Sequence, residues 1–325
     1  MSARSKSEWI SFKNQLLTLC CAVLFVTLSG CGENKQEAGA TGDAARLKVV
    51  TTIGMITDVV EQIGGKRVRV AGLMGPGVDP HLYKASAGDV ELMSEADIIF
   101  YGGLHLEGAM TELFEQMQRR TRTVAVAQAV PAEMLLSPKQ FAGAHDPHIW
   151  FDVSLWVRTV DLIRDNLIAL DSGGVALFSN NADSLKARLF DLHQYVRTQA
   201  ARVPQQQRVL ITAHDAFNYF GRAYGFEVRG LQGISTATEA GTADIQQLAT
   251  FIAERKIPAI FIESSVSPRN IEAVQAAVKA RGFEVKIGGE LFSDAMGDPG
   301  TPEGSYIGMV KHNIDTVVSA LLGEK

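Results

Sequence analysis

Cysteine is nearly absent from this chain. Its 325 residues hold only Cys20, Cys21 and Cys31, all within the first 31 positions. Everything after Cys31 therefore lacks both a disulfide framework and thiolate ligands for a metal. No HExxH occurs, no GxGxxG lies between a strand and a helix, and no GxxxxGK[ST] is present. These gaps weaken the common hydrolytic-zinc reading and leave phosphate cradling unsupported. Ser264 and Ser265 have no obvious histidine partner in sequence, so covalent catalysis gains no support. An excess of basic residues is missing too, with 31 Lys and Arg against 36 Asp and Glu. Removing residues 1–30 takes away three basic residues and Glu8, which moves the net charge from −5 to −7. Nucleic acid is not expected as a partner.

Long apolar runs are also lacking. The run from Leu16 to Leu28 is too short to cross a bilayer core of about 30 Å comfortably. It follows Arg4, Lys6 and Lys13 and leads into Leu28-Ser29-Gly30-Cys31, the order of an export signal. The small residues before Cys31 fit a bacterial lipoprotein cleavage site. We therefore expect residues 1–30 to be a signal peptide and Cys31 to be the lipidated first residue of the mature protein. Residues 31–45 have almost no aromatic or β-branched anchors and read as a flexible tether. We therefore expect the protein outside the cytoplasm, in the periplasm or on the cell surface, with a lipid anchor to the membrane.

The remaining residues alternate between short β-branched runs and segments of helical apolar spacing. Strands are expected at Leu47–Thr52, Arg67–Leu73, Ile98–Gly102 and Thr123–Ala127, then at Arg208–Thr212, Glu227–Leu231, Ala259–Ile262 and Glu284–Ile287. Four strands in each half predict an α/β protein of two lobes with parallel sheets, at 46–175 and 204–325. Between them, Leu185, Leu189, Leu192 and Val196 fall three or four residues apart among charged side chains. That spacing predicts one long amphipathic linker helix over 176–203, ended by Pro204 and capped by Asn180, Asn181 or Asp183 if it starts late. A stiff linker predicts small domain motions.

Against this spare background one tripeptide is repeated. Asp-Pro-His occurs at Asp79-Pro80-His81 and at Asp146-Pro147-His148. Proline restricts its own φ and its predecessor, so a histidine beside it loses little backbone freedom on binding a metal. Ligands in open α/β sheets gather beyond the carboxyl ends of strands. His81, His148, His214 and Asp294 all follow strands in that sense, two from each half. Three imidazoles and a carboxylate without sulfur suit Zn2+ or Mn2+, with Fe2+ also open, and a bidentate Asp294 would make the site five-coordinate. Such a fully protein-ligated site, expected once per chain, holds a metal without exposing it to substrate, so the chain is not expected to be an enzyme. Asp79, Asp146 and Asp215 are expected to orient ligands through hydrogen bonds, and Glu263 to bridge the lobes or tune the site. His105, His145, His193 and His312 are expected outside the ligand set.

Five segments carry a resemblance covering nearly all of residues 46–325: GVDPHLYKASAGDVELMSEADII (77–99), HDPHIWFDV (145–153), ITAHDAFNYFGRAYGFE (211–227), FIESS (261–265) and GGELFSDAMG (288–297). Together they resemble the zinc- and manganese-binding solute receptors of bacterial ABC transporters, the cluster A-I or TroA-like family. The resemblance implies two (β/α)4 lobes, one linker helix and a metal in the interlobe cleft, with ligands at His81, His148, His214 and Asp294. It further implies delivery of the metal to a membrane permease driven by a cytoplasmic ATPase. His214 matches members handling zinc or both metals, whereas the His-rich loop of zinc members is missing. The competing readings are a periplasmic zinc-dependent hydrolase and a surface adhesin. A receptor docking through both lobes would most simply be a monomer, and Asp294, on its Gly-rich loop, is the ligand expected to move on release.

Overall fold

The computed structural model describes residues 46–138 and 143–324. The proposed signal peptide, tether and lipidated Cys31 lie outside these residues. Among them no helix is long and apolar enough to cross a membrane.

In the first lobe, β1 (Leu47–Thr51), β2 (Val68–Gly72), β3 (Ile98–Tyr101) and β4 (Arg122–Ala125) form one parallel sheet in the order β2-β1-β3-β4. The central strands carry Val49, Val50, Ile98, Ile99 and Phe100, all buried, as expected of a sheet covered on both faces. Its crossovers include α1 (Gly54–Gly64), α2 (Ala87–Glu95) and α3 (Thr111–Met117). Ser86 and Asp89 make a reciprocal capping box that starts α2. The Asp152 side chain accepts from the Ser154 N–H at 3.0 Å and starts α4 (Val153–Leu170).

The linker helix α5 runs from Val175 to Arg202, and Pro204 follows its end. Leu185, Leu189, Leu192 and Val196 are all buried, as their spacing predicts. Burying each such side chain contributes roughly 1.5–3 kcal/mol. The asparagine cap expected inside this helix is absent, because the helix already starts at Val175 after a tight turn at Ser172–Gly174. Asn181 instead donates to the Ile63 carbonyl of α1 at 3.0 Å.

The second lobe contains β5 (Val209–His214), β6 (Glu227–Gln232), β7 (Ala259–Glu263) and β8 (Lys286–Leu291). All pairing is parallel, but the strands join as two pairs, β5-β6 and β7-β8, rather than one four-stranded ladder. Between the pairs, the Glu263 carboxylate accepts the His214 backbone N–H at 2.9 Å. The second lobe also holds α6 (Asn218–Tyr224), α7 (Thr242–Arg255), α8 (Arg269–Lys279) and α9 (Tyr306–Leu322). Helix α6 stops at Gly225, whose φ of 79° suits glycine at a helix end. Gly230 is required for closeness: a β-carbon there would stand 2.3 Å from the His214 carbonyl carbon.

One apolar core passes from the first sheet through α4 and α5 into α6 and α9. A second cluster lies within the second lobe, among β5, β7, α7 and α8. The lobes therefore share buried surface. Phe151 and Phe217 meet across that surface with ring centroids 4.2 Å apart, and Trp156 and Tyr306 at 5.6 Å.

Candidate metal centre

The four residues singled out from the strand ends converge. One ligand atom from each of His81, His148, His214 and Asp294 lies within 4.8 Å of all the others. His81 Nε2 is 3.3 Å from His148 Nε2 and 3.5 Å from Asp294 Oδ2. His148 Nε2 is 3.5 Å from Asp294 Oδ1, and His214 Nε2 is 3.2 Å from Asp294 Oδ2. The carboxylate thus stands at the centre of three imidazoles, with each oxygen turned toward at least one ring nitrogen. His148 and His214 are fully buried, Asp294 is 1 % exposed and His81 6 %.

Both Asp294 oxygens and His214 Nε2 are buried without a hydrogen-bond partner. Buried polar groups left unpaired cost stability unless a ligand satisfies them. Three nitrogens and one or two carboxylate oxygens form a donor set that fits a borderline divalent cation.

Each imidazole is aimed differently. His148 Nδ1 lies 2.8 Å from Asp146 Oδ1, which also accepts the His148 backbone N–H at 3.0 Å. His214, the last residue of β5, has Nδ1 2.6 Å from Glu263 Oε2. A carboxylate behind a ring fixes its tautomer, leaving the Nε2 lone pair directed inward. His81 has no such carboxylate. Its Nδ1 is buried and unpaired, and Asp79 accepts only its backbone N–H, at 2.8 Å. The second Asp79 oxygen takes the Thr236 hydroxyl from the other lobe at 2.6 Å.

Charge follows from these settings. Burial pulls the His81 pKa down to about 3, so this ring is neutral and ready to donate its lone pair. Burial also opposes a charge on His214, but Glu263 and Asp294 outweigh it and hold its pKa well above the ordinary imidazole value. Asp294 is likewise opposed by burial, yet His214, His148 and His81 keep it below the usual carboxylate range. A cation replaces the proton as the partner of this carboxylate.

The surrounding loops are set by interlobe bonds absent from the sequence expectations. The Trp150 indole N–H donates to the Ser293 carbonyl at 3.1 Å, one residue before Asp294, and Tyr306 O–H donates to the Trp150 carbonyl at 2.6 Å. Tyr219 O–H donates to the Asp146 carbonyl at 2.9 Å and accepts the Leu136 N–H at 3.1 Å. Trp150 had a signal in its position two residues after the second Asp-Pro-His; Tyr219, Thr236 and Tyr306 had none at that distance.

His214 was expected two residues past a strand ending at Thr212, but β5 continues to it and pairs it with Gln232. Glu263 does not bridge the lobes, because its partner His214 is on the same lobe, where it holds the ring at Nδ1. Asp215 accepts the Gly230 N–H at 2.7 Å, and burial raises its pKa to about 6. His145 pairs with the Ser137 hydroxyl at 2.8 Å, His193 with the Tyr224 hydroxyl at 3.1 Å, and His312 with the Glu290 carbonyl at 3.0 Å. His105 is exposed. A cavity of about 590 Å³ in the first lobe is lined by His105 and His145 but by none of the four clustered residues.

The sequence model for the family described as "Zinc-uptake complex component A periplasmic" matches residues 49–320. The chain is 52% identical to the zinc-binding protein TroA of Treponema pallidum (strain Nichols) over 304 residues, covering 93% of this chain and 98% of that protein. It is 46% identical to the manganese-binding lipoprotein MntA of Bacillus subtilis (strain 168) over 305 residues, again covering 93% and 98%. The solved structure of the periplasmic zinc-binding protein TroA from Treponema pallidum superposes with a TM-score of 0.83 at 54% identity, covering 85% of this chain and 99% of that one. By fold, by buried cluster and by this similarity, the chain belongs to the zinc-uptake complex component A family.

Proposed function

We propose that the protein is an extracytoplasmic receptor that captures Zn2+ or Mn2+, with Fe2+ as a further candidate, and delivers it to an ABC permease driven by a cytoplasmic ATPase. His81, His148, His214 and Asp294 are its metal ligands, one site per chain. The observation that carries this reading is the convergence of four buried donors from two lobes within 4.8 Å. A hydrolytic metal needs an open coordination position and a path for substrate, whereas these donors are at most 6 % exposed. In this reading residues 1–30 are removed on export, Cys31 carries the lipid anchor, residues 31–45 tether the lobes at 46–175 and 204–325, and the receptor acts as a monomer. Relatives named for zinc and for manganese both support a site that accepts either ion. The nitrogen-rich donor set favours zinc in a direct competition, which leaves supply and the permease to decide the transported ion.

The test is elemental mass spectrometry of protein from residue 32 onward, purified without chelator and then given equimolar Zn2+ and Mn2+. One metal per chain, lost in His81→Ala and Asp294→Ala, is the expected result. No stoichiometric metal with either ion would overturn the receptor reading.

A further inference from the structure

The two Asp-Pro-His loops are fastened to the second lobe unequally. The His148 loop is held by Tyr219 O–H on the Asp146 carbonyl, by Asn218 Nδ2 on Asp146 Oδ2 at 3.1 Å, and by Trp150 and Tyr306 around its other end. The Asp294 segment is equally braced. Its neighbours bond Asn313 through both the N–H and the carbonyl of Phe292, Ser293 Oγ lies 2.9 Å from Ser265 Oγ, and the Ala295 carbonyl accepts from Ser264 at 3.2 Å. On the His81 side, among the described residues, the cross-lobe bond from the second lobe to the Asp-Pro-His carboxylate is a single small hydroxyl, Thr236 on Asp79.

Thr236 sits in the turn that follows β6. Gln232, the β6 residue paired with His214, donates to the Thr238 carbonyl at 3.1 Å and so holds this turn against the metal-binding strand. Thr236 is 7 % exposed, while Ala237, Thr238 and Glu239 beside it face solvent. These three residues are the solvent-facing part of the turn that carries the buried hydroxyl.

We infer that Thr236 is the latch that retains the metal, and that release begins at His81 rather than at Asp294. This rests on the receptor reading above. When the turn withdraws, Asp79 is freed from the second lobe while still holding the His81 backbone N–H. The His81 loop then swings as a unit, and no carboxylate behind the ring resists its rotation. Asp294, His148 and His214 keep their bracing throughout. Thr236 is thus a positioning residue acting on the metal through Asp79 and the His81 backbone.

The experiment is stopped-flow release of Zn2+ from the detergent-solubilised full chain into excess chelator, with association rates measured in parallel. Thr236→Val is expected to release Zn2+ about tenfold faster, the scale of one hydrogen bond to a charged acceptor, with association changed by less than about twofold. Thr236→Ser, which keeps the hydroxyl, should release at the wild-type rate. Thr236→Ala is the second hydroxyl-free variant and should match or exceed Thr236→Val. Release at the wild-type rate from a folded hydroxyl-free variant overturns the latch, as does Thr236→Ser releasing as fast as Thr236→Val. Failure of the wild type to bind Zn2+ stoichiometrically overturns the receptor reading and the latch together; normal binding with unchanged release overturns the latch alone.

Discussion

Asp79-Pro80-His81 and Asp146-Pro147-His148 are one tripeptide in two settings. Locally they fold alike: in each, the aspartate Oδ1 accepts the histidine backbone N–H, at 2.8 and 3.0 Å. This is the turn that an aspartate two residues ahead of an N–H prefers. Beyond that turn they diverge. Asp146 also reaches the imidazole of its own histidine, whereas Asp79 spends its second oxygen on Thr236 across the cleft. Sequence identity over three residues fixes the backbone turn and leaves the anchoring of the ring to the surrounding fold.

Removing the rings themselves should have the largest effect. His81→Ala and His148→Ala should each weaken Zn2+ binding by more than about 100-fold, since even the partners of ligands are worth roughly 10–100-fold. Competition titration against a chelator measures this, and retention of wild-type affinity in either variant would remove that histidine from the site. A sharper contrast comes from the aspartates. Asp146→Asn should weaken Zn2+ binding by about 10–100-fold because it disturbs a ligating ring, and Asp79→Asn by less than about tenfold, mainly through faster release. Equal losses in the two variants would show that the settings are equivalent after all.

A third variant tests the bracing around His148 without touching a ligand. Tyr219→Phe leaves the buried Asp146 carbonyl and the Leu136 N–H without their shared partner. We expect a loss of about 1–3 kcal/mol in denaturant unfolding of the metal-free protein. An unchanged midpoint would deny the hydroxyl its role.

A further effect concerns acid. Burial depresses the His81 pKa from 6.5 to about 3, so the unfolded chain binds a proton that the folded, metal-free chain refuses. Stability from this residue is fully present above pH 6.5 and is lost as pH falls toward 3. The slope is about 1.4 kcal/mol per pH unit, and it should flatten in His81→Asn. Unfolding curves of metal-free protein between pH 4 and 7 that are parallel for both proteins would contradict this assignment.

Much of this architecture was legible in the residues. The eight strands, the linker helix and the four clustered side chains follow from β-branched runs, helical spacing and loop position, because each depends on short stretches of chain. Boundaries were less accurate: β8 begins at Lys286 and runs to Leu291, whereas the β-branched run suggested Glu284–Ile287. Its continuation through Gly288 and Gly289 carries little strand propensity. Thr236, Tyr219 and Tyr306 escaped for a different reason. Their partners are 157, 73 and 156 residues away, and a lone threonine or tyrosine carries no local mark of what it will meet.

The core shared by the two lobes has a thermodynamic consequence. Trp150, Phe151, Trp156, Phe217 and Tyr306 are all buried in it. We expect capture of the ion to leave this core packed, so that little apolar surface leaves water on binding and the heat-capacity change is close to zero. A receptor that had to fold its lobes together around each ion would show a large negative value and an affinity that changed steeply with temperature. A receptor whose shared core stays packed would hold its cargo with much the same enthalpy in cold and warm surroundings.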